Sequence, residues 1–244
     1  MKKLLVLFLV ISANLSVAQD AVLLRLKYEK GATYDVDMNI SQEMGAVMSM
    51  GMNINMDIKV LDVAEDTYDS EMKFTKMTMD MLQGGQAMSF DSTKSDDELD
   101  EAGKMMKAQM GPMLTAVIYA KGNNLGEIIE VKVEPNVPGV AEMAKQSSNV
   151  VYPKEALSVG STWTMTKEEK GMKMAFLYTV KSITSDIIAV DLSGDVTGVA
   201  TGTISGNMSI DKNSGIPMNS LINMNMSVNG QELKTKAAMT MVKR

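Results

Sequence analysis

Methionine is the residue whose type and spacing stand out for chemistry: the chain holds 26 among 244 residues. It recurs at every second position in Met48-Met50-Met52, Met77-Met79-Met81, Met172-Met174, Met224-Met226 and Met239-Met241. A thioether is a soft ligand, so such repeats suit Cu(I). It is also unbranched and polarizable, packs irregular gaps, and lines adaptable apolar binding surfaces. On a strand, i and i+2 share one face, so burial alone produces the same spacing. Three readings therefore start from the same residues: a plain core, an apolar pocket and a copper site. Copper sites usually add His or Cys, and the chain has neither.

The missing histidines remove the commonest general base and metal ligand. The missing cysteines exclude disulfides. Other constellations read as structure. Asp96, Asp97, Glu98, Asp100 and Glu101 crowd one helix start, where the dipole favours acids. Asp211-Lys212-Asn213-Ser214-Gly215 begins like a calcium loop, but its Gly falls one place early and no acid stands near the twelfth position. A turn, with Asn and Gly at positive φ, explains it better. Ser70-x-x-Lys73 lies in a strand, whereas serine–lysine catalysis places that motif on a helix. The lone Trp163 reads as core. No catalytic residue, cofactor or metal ligand is assigned, and a non-enzymatic protein is expected.

Strands must position the methionines. Period-two alternation marks Val22 to Leu26, Tyr34 to Ile40 and, most plainly, Met48 to Val60. Thr67 to Met81 continues the pattern, but its apolar face changes after Phe74, which predicts a bulge or a strong bend. Gly84-Gly85 turns the chain into Ala87 to Ser92. The period then lengthens. Ser95-x-x-Glu98 is a capping box, and Leu99, Ala102, Met106, Met110, Met113 and Val117 form a helical stripe that Gly111-Pro112 should kink or end. A hairpin around Gly122-Asn123-Asn124 and a short helix at 137–145 follow. Six strands are then expected, near 161–169, 172–183, 187–196, 202–210, 217–228 and 232–242. Asn229-Gly230 is a strong hairpin signal between the last two.

The ends bound the destination. Lys2-Lys3, the apolar Leu4 to Ala13 and Ser16-Val17-Ala18 make a secretory signal over residues 1–18. Its apolar run is too short to span a bilayer, which needs about 20 residues. No Cys follows for a lipid anchor. A periplasmic or secreted product without a transmembrane anchor is expected. Removing two lysines takes the formal charge from −6 down by 2, to −8. Such a chain offers no footprint for nucleic acid and no polybasic patch for anionic lipid.

Two stretches resemble one another: Tyr28-Glu29-Lys30-Gly31-Ala32-Thr33-Tyr34 and Leu157-Ser158-Val159-Gly160-Ser161-Thr162-Trp163. These Gly-x-Thr-aromatic openings resemble a group of secreted bacterial proteins that carry only a domain-of-unknown-function label. More distantly, long antiparallel strands closed by helices are similar to the periplasmic lipoprotein-carrier half-barrels. That likeness implies acyl chains sheltered beneath a helical lid, and implies no catalytic residues.

The resulting expectation is a mainly β protein, a curved antiparallel sheet or open half-barrel with a central helical segment. Residues 19–244 make one domain, with similar halves at about 19–92 and 157–244 joined by a helical segment at about 95–150. Its expected partner is an apolar small molecule or lipid. Candidate lining residues are Met50, Met52, Met56, Met79, Met106, Met110, Met174 and Met224. The alternative is an envelope scaffold or interaction protein with a plain packed core.

Overall fold

A computed structural model describes residues 21–45, 47–146 and 150–244. The signal segment Met1–Ala18 lies outside them. In chain order the elements are β1 (Thr33–Met44), β2 (Met48–Val63), β3 (Thr67–Gln83), β4 (Gln86–Asp91), a 3-10 turn (Asp96–Glu98) and α1 (Glu101–Thr115). Next come β5 (Val117–Asn123), β6 (Ile128–Glu134) and α2 (Val140–Gln146). The second half supplies β7 (Thr162–Glu169), β8 (Met172–Ile183), β9 (Ile187–Gly198), β10 (Ala200–Asp211), β11 (Pro217–Val228) and β12 (Gln231–Lys243).

Among the described residues these 12 strands make one antiparallel sheet, ordered β6-β5-β3-β2-β1-β12-β11-β10-β9-β8-β7. The long β3 holds β5 along Thr67–Lys73 and β4 along Thr78–Gln83. The sheet does not close into a barrel. The expected face change in β3 is a bulge: Asn55 opposes Lys76 while Met56 opposes Phe74, leaving Thr75 over.

The strand expected at Val22 to Leu26 is not part of the sheet. Val22 makes a single bridge to Leu157. Beyond it the backbone donors go to loops: Leu26 N–H to the Asn124 carbonyl (2.7 Å) and Lys27 N–H to the Ser214 carbonyl (2.8 Å). Alternation is real there, since Leu24 is buried, but the segment crosses strand ends instead of pairing.

Those two bonds show how far the sheet bends. Asn124 follows β5, and Ser214 follows β10, six strand spacings away. A flat sheet would separate them by about 30 Å. Adjacent residues of one segment reach both, so the sheet curls until its halves face one another across that end. Three glycines contribute to the curl. A Cβ on Gly194, Gly202 or Gly206 would lie 2.1–2.2 Å from a carbonyl oxygen of the neighbouring strand. Only hydrogen fits where the backbones approach so closely.

The helical segment differs in detail from its sequence pattern. The Ser95–Glu98 capping box closes the 3-10 turn, and Asp100 caps α1 by accepting from the Gly103 amide (2.7 Å). The helix runs through Pro112 and ends at Thr115, so Gly111-Pro112 does not end it. Pro112 and Ala108 both lie on the exposed side, where solvent meets the carbonyl that proline leaves unpaired. Val117 belongs to β5, not to the helix.

The two Gly-x-Thr openings hold the same local geometry. The amides of Gly31 and Gly160 donate to the carbonyls of Val60 (2.9 Å) and Val180 (2.8 Å). The Val60 and Val180 amides donate back to Ala32 and Ser161 (2.9 Å each). Both glycines have positive φ, 85° and 87°, which explains their residue type.

Candidate functional site

Directly opposed residues of an antiparallel pair share a face. One row therefore runs Met81, Met50, Gln42, Thr235, Met224, Ile204 across β3, β2, β1, β12, β11 and β10. The next runs Met48, Met44, Leu233, Met226, Gly202, Val196, Met174, ending at Lys167 on β7. The reverse face carries Asn55, Asp37, Thr240 and Asn219 in one row. There Asp37 accepts from Asn53 (3.1 Å) and Asn55 (2.7 Å). The sheet thus has an apolar side and a hydrated side, and its curl makes the apolar side concave.

One end of this trough is plugged. The N-terminal segment and residues 150–157 lie across it, with Leu24, Val150, Tyr152 and Leu157 buried against β8–β10. Tyr28 packs edge-on to Tyr34 and Tyr68, with ring centroids 5.4 and 4.6 Å away. Burial drives the Tyr28 phenol well above its usual value and the Tyr68 phenol up to about 12, so this plug stays neutral. The Tyr152 hydroxyl donates to the Gly215 carbonyl (2.7 Å) inside it. Removing that hydroxyl in Tyr152→Phe is expected to cost about 1–2 kcal/mol, read by chemical denaturation.

The eight methionine candidates fall into three groups. Met50, Met52, Met79, Met106 and Met110 gather around Met77 and Phe90 beneath α1. Met174 and Met224 flank the larger core of the second half. Met56 is buried in a separate core with Tyr34, Val36 and Val60. Met50, Met174 and Met224 are partly exposed on the concave side, as are Met44, Met48 and Met81, which were not among the lining candidates. Their signal was present: the same alternation extends through them to the strand ends.

Gln42 and Thr235 interrupt the apolar rows. Thr235 is buried, and the Gln42 amide nitrogen lies 3.4 Å from its hydroxyl, at the long limit of a hydrogen bond. The amide keeps hydrogen-bonding capacity in an apolar setting. Trp163, stacked on Tyr178 at 4.8 Å, buries its indole N–H with no partner.

A second concavity of about 720 Å³ opens near the plugged end, lined by Tyr34, Ile216, Met218, Met241 and Lys243. It exists because β11–β12 pairing reaches only Asn219 opposite Thr240. None of the eight candidates lines it. Its sequence signal is Pro217, a residue confined to strand starts and edges.

The other constellations resolve as structure. Ser70 is buried and bonds the Ala120 carbonyl (3.4 Å), while Lys73, three residues on and so across the sheet, pairs with Glu71 (3.0 Å). Among the described residues no group of three or more acids is placed to hold a metal. Asp211 closes a turn, accepting from the Ser214 hydroxyl (2.6 Å) and amide (2.7 Å). Gly215 alone takes positive φ there, 68°; Asn213 does not. The Ser214 hydroxyl holds the Asp211 carboxyl below its ordinary range. The carboxylate therefore stabilises the fold above the unfolded-state value of about 3.9, and that contribution fades as pH falls through the lower folded value. Asp211→Asn is expected to flatten the acid limb of melting temperature against pH.

No described helix is long and apolar enough to cross a membrane. No protein-family model matches the sequence, and no curated protein matches it. Among solved structures, one of lipid–protein interactions in lipovitellin is similar, with a TM-score of 0.56 and 12% identity. The match covers 89% of this chain and 25% of that chain. At that identity the likeness is one of fold: the sheet described above is of a kind also found in lipovitellin.

Proposed function

We propose that this chain is a non-enzymatic protein, working outside the cytoplasm, that holds an apolar or lipid-like molecule in its methionine-lined trough. One observation carries the reading. The concave face is mostly apolar from β3 to β8, yet its methionines near the open end stay partly exposed instead of being sealed beneath a covering layer. A packed domain buries such a face against a second layer; here α1 covers only the part around Met77, Met79 and Phe90, with Met50 and Met52 of β2 at its margin. Met is suited to the task, since its flexible thioether adapts to guests of different shape. The lipovitellin likeness supports the reading, because that structure concerns lipid–protein interactions. Gln42, in the middle of that face, offers an amide to a ligand's polar atom.

The test is native mass spectrometry of gently purified protein, with titration by a dansyl-labelled fatty acid. Retained lipid, or saturable one-to-one binding with blue-shifted emission, is the expected result. A chain that carries no lipid and gives no saturable signal would be a packed scaffold, and the proposal would fall.

A further inference from the structure

All five tight β-hairpin turns that join β1–β2, β3–β4, β7–β8, β9–β10 and β11–β12 lie at the open end of the trough. They are linked: the Gly84 amide donates to the Val47 carbonyl, and the Val199 amide to the Gly171 carbonyl, both at 3.2 Å. Four of the turns, at 44–48, 82–87, 197–201 and 228–231, contain no charged residue, in a chain with 24 basic and 30 acidic ones. The opposite end is different, with Lys30, Glu65, Asp66, Asp186 and Lys212 in its loops and Asp62 near the end of β2. Val47 at 55% and Val199 at 65% exposure stand in solvent on these turns, and Leu82 at 48% stands beside them at the end of β3, on the reverse face opposite Ser49. Elsewhere the exposed Ile129 and Val242 have charged sequence neighbours in Glu130 and Lys243, whereas Leu23 and Leu177 have none.

From this rim we infer that the open end docks on a neutral lipid surface, with Val47, Leu82 and Val199 entering the headgroup layer. The inference rests on the trough reading and adds where a lipid would enter or leave. The chemistry favours a lipid surface over a protein partner. A stable protein interface buries about 800 Å² per partner around a packed centre. These side chains sit singly on separate turns around an opening, an arrangement that needs no complementary shape when the partner is fluid. Four of the five turns are uncharged and on the fifth Glu169 and Lys170 pair with one another (3.6 Å), which matches zwitterionic headgroups, and the chain's formal charge of −6 disfavours anionic ones.

Co-sedimentation with phosphatidylcholine vesicles tests it, alongside dansyl fatty-acid titration in vesicle-free solution. The wild-type chain is expected to bind vesicles with little dependence on salt. The triple variant Val47→Asp, Leu82→Asp, Val199→Asp is expected to lose about tenfold or more in partitioning, with its solution titration unchanged. Equal partitioning of the variant, absence of wild-type binding, or a mouth-to-mouth dimer in analytical ultracentrifugation that the same substitutions dissolve would each overturn docking. Vesicle binding without fatty-acid binding would uphold docking and overturn the trough reading instead.

Discussion

Gly206→Ala is expected to destabilise the protein by about 3 kcal/mol or more, although it adds a single methyl group. The added Cβ would stand 2.1 Å from the Leu221 carbonyl oxygen and 3.2 Å from the Ile222 Cα, both backbone of β11. Backbone in the middle of a sheet cannot rotate away as a side chain can, so the strands must separate and hydrogen bonds must stretch. Gly51→Ala is the control. Gly51 lies on the hydrated face of β2 with nothing within 4 Å of its Cβ position and no positive φ. There the change is expected to be neutral or to stabilise by up to about 1 kcal/mol, because alanine restricts the unfolded chain. Urea denaturation of the two variants separates the explanations. Equal effects at both sites would show that close strand approach at Gly206 does not govern the curl.

Replacing Met50 and Met224 together by aspartate is expected to weaken fatty-acid binding by about 100-fold or more while leaving the chain folded. The two residues belong to one row, on either side of Gln42 and Thr235. Both are partly exposed, so in the empty trough the new carboxylates reach water. A bound acyl chain would strip that water, and burying an unpaired charge costs several kcal/mol. Fluorescence titration reads the affinity and circular dichroism reads the fold. Met56→Ala offers the opposite pattern. Its side chain is buried with Tyr34, Val36 and Val60, away from the trough. Stability should fall by about 2–4 kcal/mol with affinity nearly unchanged. Unaltered binding in the double aspartate variant would remove the trough as the site.

Much of the architecture is legible along the chain because a strand's side-chain period is two, and an apolar residue misplaced by one position changes face. Met48 to Val60 shows this directly, and the switch after Phe74 located the Thr75 bulge without any view of β2. The same logic misread Val22 to Leu26. Alternation reports that one side is buried; it does not report whether the backbone pairs with another strand. Gly111-Pro112 does not end α1 for a related reason. A proline costs a helix little where the freed carbonyl is wet, and that depends on which side of α1 faces the sheet.

Local chemistry alone determined the strands, their turns, the capping acids, the methionine face and the lack of His or Cys for other uses. Those are set by residue type and by neighbours within a few positions. Tertiary structure decided the rest. It brought Asn124 and Ser214 within reach of adjacent residues, joined β1 to β12, and divided the methionines among the cover beneath α1, a closed core and the open rows. It also gathered uncharged turns distant in sequence around one mouth. Each of these follows from pairings between strands far apart in the chain, and no local period encodes which of two apolar stripes will be covered and which left open.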